Sequence, residues 1–258
     1  MVAYSKVTAG NWDIWLLDTR GASRRLTSTP ALDFSPVWSA DGRRIFFQSI
    51  RGKAADIYAL SVDDGGPEEL LLSDARGKTP ADVSPDGQFL LYNASEPGAS
   101  ADLWLLPLTG ERTPRPFVQT RFDDRDGQFS PDGKWVAYQS SDSGRSEIYL
   151  RSFPGTGDRI QVSVAGGSQP RWGRRGLELF YVAADQRLTS VTVTSDGSGR
   201  SARLGQPVAL FRTPFDPSNG QLRQQYVVSG DNQRFLMGSP VEAPAPPSIV
   251  VMLNWKGR

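Results

Sequence analysis

The chemistry open to this chain is bounded by two absences. Its 258 residues include no histidine and no cysteine, which removes the imidazole base of a Ser-His-Asp triad, the thiolate nucleophile, the disulfide and the usual zinc ligands. Catalysis would have to run on carboxylates, Lys, Tyr or a hard metal ion. The run Asp123-Asp124-Arg125-Asp126-Gly127 clusters carboxylate oxygens of the kind hard cations take. It lacks the spaced D-x-D-x-D-G pattern and the distant Glu of a calcium loop, so neither a metal nor a cofactor is expected.

Other candidate motifs have plainer readings. Gly197 to Ala202, GSGRSA, fits G-x-G-x-x-A on paper. Without a strand before it and a helix after it, the stretch reads as a flexible hairpin and not as a nucleotide loop. Arg171, Arg174 and Arg175 could meet an anion, yet the last two sit in a turn and read as solvated. Asn93-Ala94-Ser95 is a formal glycosylation sequon. Lys and Arg total 29 against 28 Asp and Glu, so no net field draws in nucleic acid or an acidic membrane surface. No signal peptide is visible at Met1, and no apolar run approaches the ~20 residues a spanning helix needs. The absence of cysteine fits either redox compartment.

What positions these residues is a repeat. The turn motif in FSPDG recurs with its Asp at Asp41 (WSADG), Asp86 (VSPDG) and Asp132 (FSPDG), then as Arg175 in WGRRG and Asp231 in VSGDN. The spacings are 45, 46, 43 and 56, the period of a propeller blade, with the last widened by an insertion around 195–202 or 215–222. Four and six residues after each anchor stand Ile45/Phe47, Leu90/Tyr92, Val136/Tyr138, Leu179/Tyr181 and Phe235/Met237, with an apolar residue between each pair. Apolar residues on both parities suit a strand covered on both faces. A second column reads acidic, aliphatic, aromatic: Asp13-Ile14-Trp15, Asp56-Ile57-Tyr58, Asp102-Leu103-Trp104 and Glu147-Ile148-Tyr149. A third run, RRLT, EELLL, RPFV or IQVSV, closes each of the first four units.

Each unit is therefore four short strands, and S-P-D-G is the hairpin turn between the first two. Pro fixes φ, Asp accepts backbone N–H groups, and Gly takes the positive φ that ends the turn. The expected fold class is all-β, a β-propeller of four-stranded antiparallel blades with about six visible and the first incomplete at the N-terminus. One domain over 1–258 divides into units of roughly 1–32, 33–78, 79–123, 124–166, 167–222 and 223–258. Residues 1–30 supply only the last three strands of a unit, so Met1 is expected to lie inside a blade of a longer protein. Glu242 to Ser248, EAPAPPS, reads as a stiff loop between strands, and the tryptophans read as packing between blades.

These residues resemble the TolB-type, Trp-Asp-like β-propellers, in particular those at the C-terminal end of bacterial Ser/Thr protein kinases. The segments GNWDIWLLD, SDARGKTPADVSPDGQFLLY, DLWLLPLTGERTPRPF, GQFSPDGKWVAYQSSDSGRSEIYLRSFPG, GGSQPRWGRRGLELFY and IVVMLNW carry the likeness in the same order. The chain departs from that pattern at Arg175, at Gly230 and Asn232, and at Val83. The resemblance implies a receptor-like module held beyond a membrane span from the catalytic domain, hence outside the cytoplasm as part of a membrane-anchored protein, with a cytoplasmic location as the alternative. The chain itself has no Gly-rich phosphate loop with a paired Lys, no H-R-D and no D-F-G, so it is not expected to be an enzyme.

In a propeller the strand nearest the axis precedes each turn, which makes the residues four and six before the anchor the candidates for a channel-side site. They are Val37, Asp82, Gln128, Arg171 and Val227, and Ser35, Pro80, Asp126, Gln169 and Gln225. Asp82, Asp126, Gln128, Gln169, Arg171 and Gln225 are the polar members that would contact a protein, peptide or small-molecule ligand of a monomeric domain. The plainer reading is a solvated channel wall. The function expected is a non-catalytic sensor or interaction module. The alternatives are a TolB-like envelope scaffold, and a hydrolase or lactonase using a divalent cation held by Asp82 and Asp126.

Overall fold

The computed structural model describes residues 1–63, 66–155, 157, 159–174, 178–195, 201–216 and 224–238, and the backbone of 249–252. Arg175, residues 197–200 of the Gly-rich hairpin, 217–222 of the second insertion candidate, and the 242–248 loop lie outside those residues. Among the described residues all regular structure is β, and the chain divides into two compact units, residues 1–121 and 122–258. The first unit holds three antiparallel sheets. They are β1 (Val2–Thr8), β2 (Asn11–Leu17) and β3 (Ser23–Arg25); β4 (Leu32–Trp38), β5 (Arg44–Ile50), β6 (Ala55–Ser61) and β7 (Glu69–Leu72); and β8 (Gly77–Val83), β9 (Phe89–Ser95), β10 (Asp102–Pro107) and β11 (Arg115–Val118).

The second unit repeats the pattern with β12 (Asp124–Phe129), β13 (Trp135–Ser140), β14 (Glu147–Ser152) and β15 (Arg159–Gln161). Next come β16 (Gly167–Trp172), β17 (Glu178–Ala183), β18 (Arg187–Ser195), β19 (Ala202–Leu204) and β20 (Val208–Arg212), then β21 (Tyr226–Val228), β22 (Phe235–Gly238) and β23 (Ile249–Met252). The sheets are up-and-down meanders, apart from that of β16–β20, where both β19 and β20 pair with β18. The widened spacing has a local cause at β18, whose distal half pairs with β19 while its proximal half pairs with β20. The extra strand β19 thus occupies the first of the two places where an insertion was expected.

The repeated turn is closed by one set of bonds. In Ser39 to Arg44 the Ser39 hydroxyl donates to the Asp41 carboxylate at 2.6 Å and accepts the Arg44 N–H at 2.9 Å, while Asp41 accepts the Arg43 N–H at 3.1 Å. Gly42 takes φ +71° and donates its N–H to the Ser39 carbonyl. The same bonds recur from Ser84 to Phe89, from Ser130 to Trp135 and from Ser229 to Arg234. The Ser39 hydroxyl and the Arg43 N–H hold the Asp41 carboxyl below the usual range, and Ser229 and the Gln233 N–H do the same at Asp231. These acids are occupied by the fold. In the last turn Asn232 stands for Gly and adopts φ +59°, which Asn tolerates better than most residues.

That asparagine also meets the described residues of the WGRRG stretch, Gly173 and Arg174. Gly173 occupies the Ser position, and a Cβ there would lie 2.6 Å from the Asn232 Cγ. The Asn232 Oδ1 accepts the Arg174 N–H at 2.8 Å, and its Nδ2 donates to Glu178. Where Pro85 and Pro131 have no N–H to satisfy, Arg174 has one. The asparagine that departs from the motif in one turn thus binds the Arg174 N–H of its neighbour.

The central strands bury both faces. Ile45 and Phe47 pack toward Ile14 and Leu16, whereas Phe46 packs toward Leu90 and Tyr92 on the other side. In the second unit Leu179 and Tyr181 join Trp135 and Ile148, and Phe180 and Val182 join Tyr226 and Phe235. Each such side chain contributes about 1.5–3 kcal/mol when fully buried. The acidic column ties the third strand of a sheet to the connection that leaves it. Glu147 accepts the Gly166 N–H at 2.9 Å and the Ser163 hydroxyl, and Asp102 accepts the Thr120 N–H at 3.2 Å. Asp56 meets Lys78 at 3.1 Å, and Asp13 meets Arg25 at 2.8 Å. The aromatic beside each acid carries a cation: Lys6 over Trp15, Arg51 over Tyr58, Arg76 over Trp104 and Arg159 over Tyr149. So Trp15 and Trp104 do more than pack between sheets; Trp12 meets Phe34 of the next sheet at 5.3 Å.

Lys78 and Asp33 occupy the same register, eight residues before the anchor, with opposite outcomes. Lys78 is fully buried, and its ammonium is satisfied by Asp56, Asp74 and the carbonyls of Asp74 and Arg76 at 2.7–3.1 Å. Burial alone would raise the Asp74 carboxyl, but hydrogen bonds from Arg76 and Lys78 outweigh it and bring it down to about 2. Asp33 is also fully buried, and neither of its oxygens has a well-formed hydrogen bond. Burial raises its pKa, against the opposing pull of Ser49 and Thr27. A raised carboxyl makes folding most favourable below the unfolded pKa near 3.8 and loses that contribution as pH rises through the folded value. Asp33→Asn is therefore expected to melt about 2–4 °C above the wild type at pH 8 and level with it at pH 3. A gap that is the same at both pH values, read by calorimetry, would contradict this account of Asp33.

Candidate functional site

The candidate residues lie on the first strand of each sheet, and those strands share a distortion. Against the second strand, each carries one extra residue: between Phe34 and Val37, Pro80 and Asp82, Arg125 and Gln128, and Ser168 and Arg171. In three of the four the residue six before the anchor has positive φ, +51° at Ser35, +56° at Asp126 and +54° at Gln169. Pro80 cannot adopt it, because its ring fixes φ near −65°. A bulge re-aims side chains and ends simple alternation. The two candidate rows are therefore not one continuous face of a regular strand.

In the first unit β4 lies against β1 and β8. The Ser35 N–H donates to the Ser5 hydroxyl at 3.2 Å, Val37 and Pro80 are buried, and Asp82 is half-buried. Thr79 on β8 donates to the Gln48 side chain of β5 at 3.0 Å. These contacts join neighbouring sheets through polar groups.

In the second unit β16 lies between β12 and β21, and the structure brings several candidates together. The Gln169 amide donates to the Gln225 side chain at 2.7 Å, and the Gln225 backbone N–H donates back to Gln169 Oε1 at 2.9 Å. The Tyr226 hydroxyl donates to the Gln169 carbonyl at 2.9 Å, and Arg171 Nε donates to the Tyr226 carbonyl at 3.3 Å. On the other side the Trp172 indole donates to the Gln128 carbonyl at 3.1 Å. Burial pushes the Tyr226 phenol far up, so it is a fixed donor. Asp126 and Gln128 are buried on β12, Val227 is half-buried, and Arg171 and Gln225 are partly exposed. The result is a polar wall in which the Gln169 and Gln225 amides and the Arg171 guanidinium tie β16 to the start of β21, with Gln128 joined through its backbone carbonyl.

The remaining motifs are absorbed by structure. Asp123 pairs with Arg125 and donates its N–H to Ser141. Among the described residues no group of three or more His, Cys, Asp or Glu is placed to hold a metal ion. Asn93 of the sequon is buried inside β9 opposite Leu103, so its amide is not reachable in the folded chain. No helix among the described residues is long and apolar enough to cross a membrane.

Residues 1–105 match the family model of the TolB beta propeller domain. An uncharacterized protein of Agrobacterium fabrum is 31% identical over 110 residues, 43% of this chain and 37% of that protein. The Tol-Pal system protein TolB of Anaeromyxobacter dehalogenans is 30% identical over 102 residues, 39% of this chain and 23% of that one. The chain thus spans well under half the length of these curated relatives. TolB from Acinetobacter baumannii superposes over 97% of this chain and 60% of its own with a TM-score of 0.76 at 18% identity. The fold is all-β, a set of four-stranded antiparallel sheets matching the TolB propeller.

Sequence reasoning placed the first-strand residues but not their pairing, because Gln169 and Gln225 stand 56 residues apart and neither is unusual alone. If the Gln169–Gln225 pair ties β16 to β21, Gln169→Leu and Gln225→Leu will each destabilise the protein, and a urea double-mutant cycle will show coupling of about 1 kcal/mol. Coupling indistinguishable from zero would mean that the amides act independently.

Proposed function

We propose that this chain is a non-catalytic interaction propeller, the ligand- or protein-binding module of a bacterial signalling protein such as a Ser/Thr kinase, working outside the cytoplasm as part of a membrane-anchored protein. The observation that carries this reading is the Gln169–Gln225–Arg171 wall. Amides that hold one another in place present a fixed pattern of donors and acceptors, which suits recognition. They neither attack a substrate nor exchange protons near neutral pH. In the first unit the contact residue is Asp82 on β8; in the second the contact residues are Asp126 and Gln128 on β12, Gln169 and Arg171 on β16, and Gln225 just before β21. The kinase connection is supported by the ordered likeness of segments such as GQFSPDGKWVAYQSSDSGRSEIYLRSFPG.

A second reading, an envelope scaffold docking other proteins, is favoured by the 30% identity with a Tol-Pal system protein over 102 residues. Reading the encoding DNA upstream of Met1 separates the two. The signalling proposal expects an open frame that runs back through a membrane span to kinase motifs. A secretion signal preceded by an in-frame stop would favour the scaffold and overturn the kinase-linked proposal.

A further inference from the structure

The connections that leave the first and second sheets are built alike around opposite charges. Leaving the second sheet, the carboxylates of Asp56 and Asp74 and the carbonyls of Asp74 and Arg76 surround the buried Lys78 ammonium at 2.7–3.1 Å. Leaving the first, the equivalent groups are the Asp13 carboxylate, the Thr29 hydroxyl and the carbonyls of Thr29 and Ala31. The neutral Asn11 amide meets Asp13 and both carbonyls at 2.9–3.3 Å. The residue in the register of Lys78 is Asp33. It stands opposite Ser49 as Lys78 stands opposite Ala94, so its side chain starts from the same place and brings a negative charge where its counterpart brings a positive one.

Asp33 is fully buried, and neither of its carboxylate oxygens has a well-formed hydrogen bond among the described residues. The Ser49 and Thr27 hydroxyls adjoin it. Both are held from elsewhere, Ser49 by Arg51 Nε and Thr27 by the Ile14 N–H beside Asp13, each at 3.0 Å. Asp13 is fully buried as well, and the buried Thr29 hydroxyl has no hydrogen bond among the described residues. The surrounding charges cancel except at Asp33, since Arg25 matches Asp13 and Arg51 matches Glu68. A buried charge left without a partner is among the costliest features a fold can hold. A hard cation removes that cost, because such ions take carboxylate, hydroxyl and carbonyl oxygens together. Because the Asp33 carboxylate is closed to solvent, the ion is taken up as the chain folds.

We propose that Asp33 and Asp13, with the Thr27 and Ser49 hydroxyls, hold a desolvated hard metal cation, Na⁺ or Ca²⁺, in the role that the Lys78 ammonium plays one sheet later. The site lies within the first unit and does not rest on the function proposed for the polar wall of the second.

Melting of the full chain, refolded from urea in each of three salts, tests it. The salts are choline chloride with a chelator, NaCl with a chelator, and CaCl₂, at matched ionic strength and about pH 8, where protons compete least. The wild type should melt about 5 °C higher in the salt of the ion it binds than in choline, while Asp33→Asn melts alike in all three. In choline the Asn variant should melt above the wild type, and in the binding salt that order should reverse. A gain in NaCl identifies a monovalent ion. A gain in CaCl₂ alone identifies a divalent one, and a single calcium should then survive gel filtration of the wild type and be lost from Asp33→Asn. The inference is overturned if neither ion raises the wild-type midpoint above its value in choline, which would leave the Ser49 and Thr27 hydroxyls as the partners of Asp33, or if Asp33→Asn gains as much as the wild type, which would place the ion elsewhere.

Discussion

The rest of the structure depends on the small knot of hydrogen bonds in which a serine hydroxyl and an aspartate carboxylate close the turn between the first two strands of a sheet. The serine accepts an N–H from the start of the second strand and donates its hydroxyl to the aspartate, which accepts the next N–H back along the chain. A left-handed residue completes the reversal. With the turn fixed, register is fixed, and register decides which face of a central strand each apolar side chain meets. A slip of one residue at Phe46 would exchange the partners of Ile45 and Phe47 for those of Leu90. The core is therefore specified by polar turns as much as by apolar content.

A second constraint acts in the first four sheets, where the chain must leave one sheet and start the next. There the acidic residue of the third strand is bound to the departing connection, and its aromatic neighbour lies beneath a cation. The variations follow local need. Lys78 answers Asp56 with a charge. Gly166 answers Glu147 with a bare N–H, and at Gly167 a Cβ would collide with Ser163 and Ile148. These repeated carboxylates read as candidate chemistry in a chain without histidine or cysteine, and the fold uses them for anchoring.

Much of this was legible because it is local. Asp41, Asp86 and Asp132 marked the turns, the doubled apolar columns marked the central strands, and the strands fall there. What was not legible is what depends on geometry between distant residues. Nothing in Ser35, Asp126 or Gln169 as residue types announces a bulge with positive φ, yet that bulge decides where the first-strand side chains point. The cations over Trp15, Tyr58, Trp104 and Tyr149 come from four different places in their sheets, so no single column in the sequence reveals them. Of the candidate site, the positions could be named from spacing alone. Their joining, Gln169 to Gln225 and Arg171 to the Tyr226 carbonyl, needed the strands to be brought side by side.

The central claim, that polar contacts made by the turns fix the sheets, is met most directly at Gly173 and Asn232, where two departures from the repeat touch each other. A denaturation cycle of Gly173→Ser, Asn232→Gly and the double variant isolates that relation. The account predicts that each single change destabilises the protein, one by collision and the other by losing the Asn232 bonds to Arg174 and Glu178, and that the double variant is at least about 1 kcal/mol better than their sum. Strictly additive losses would contradict it and would show the two turns to be independent.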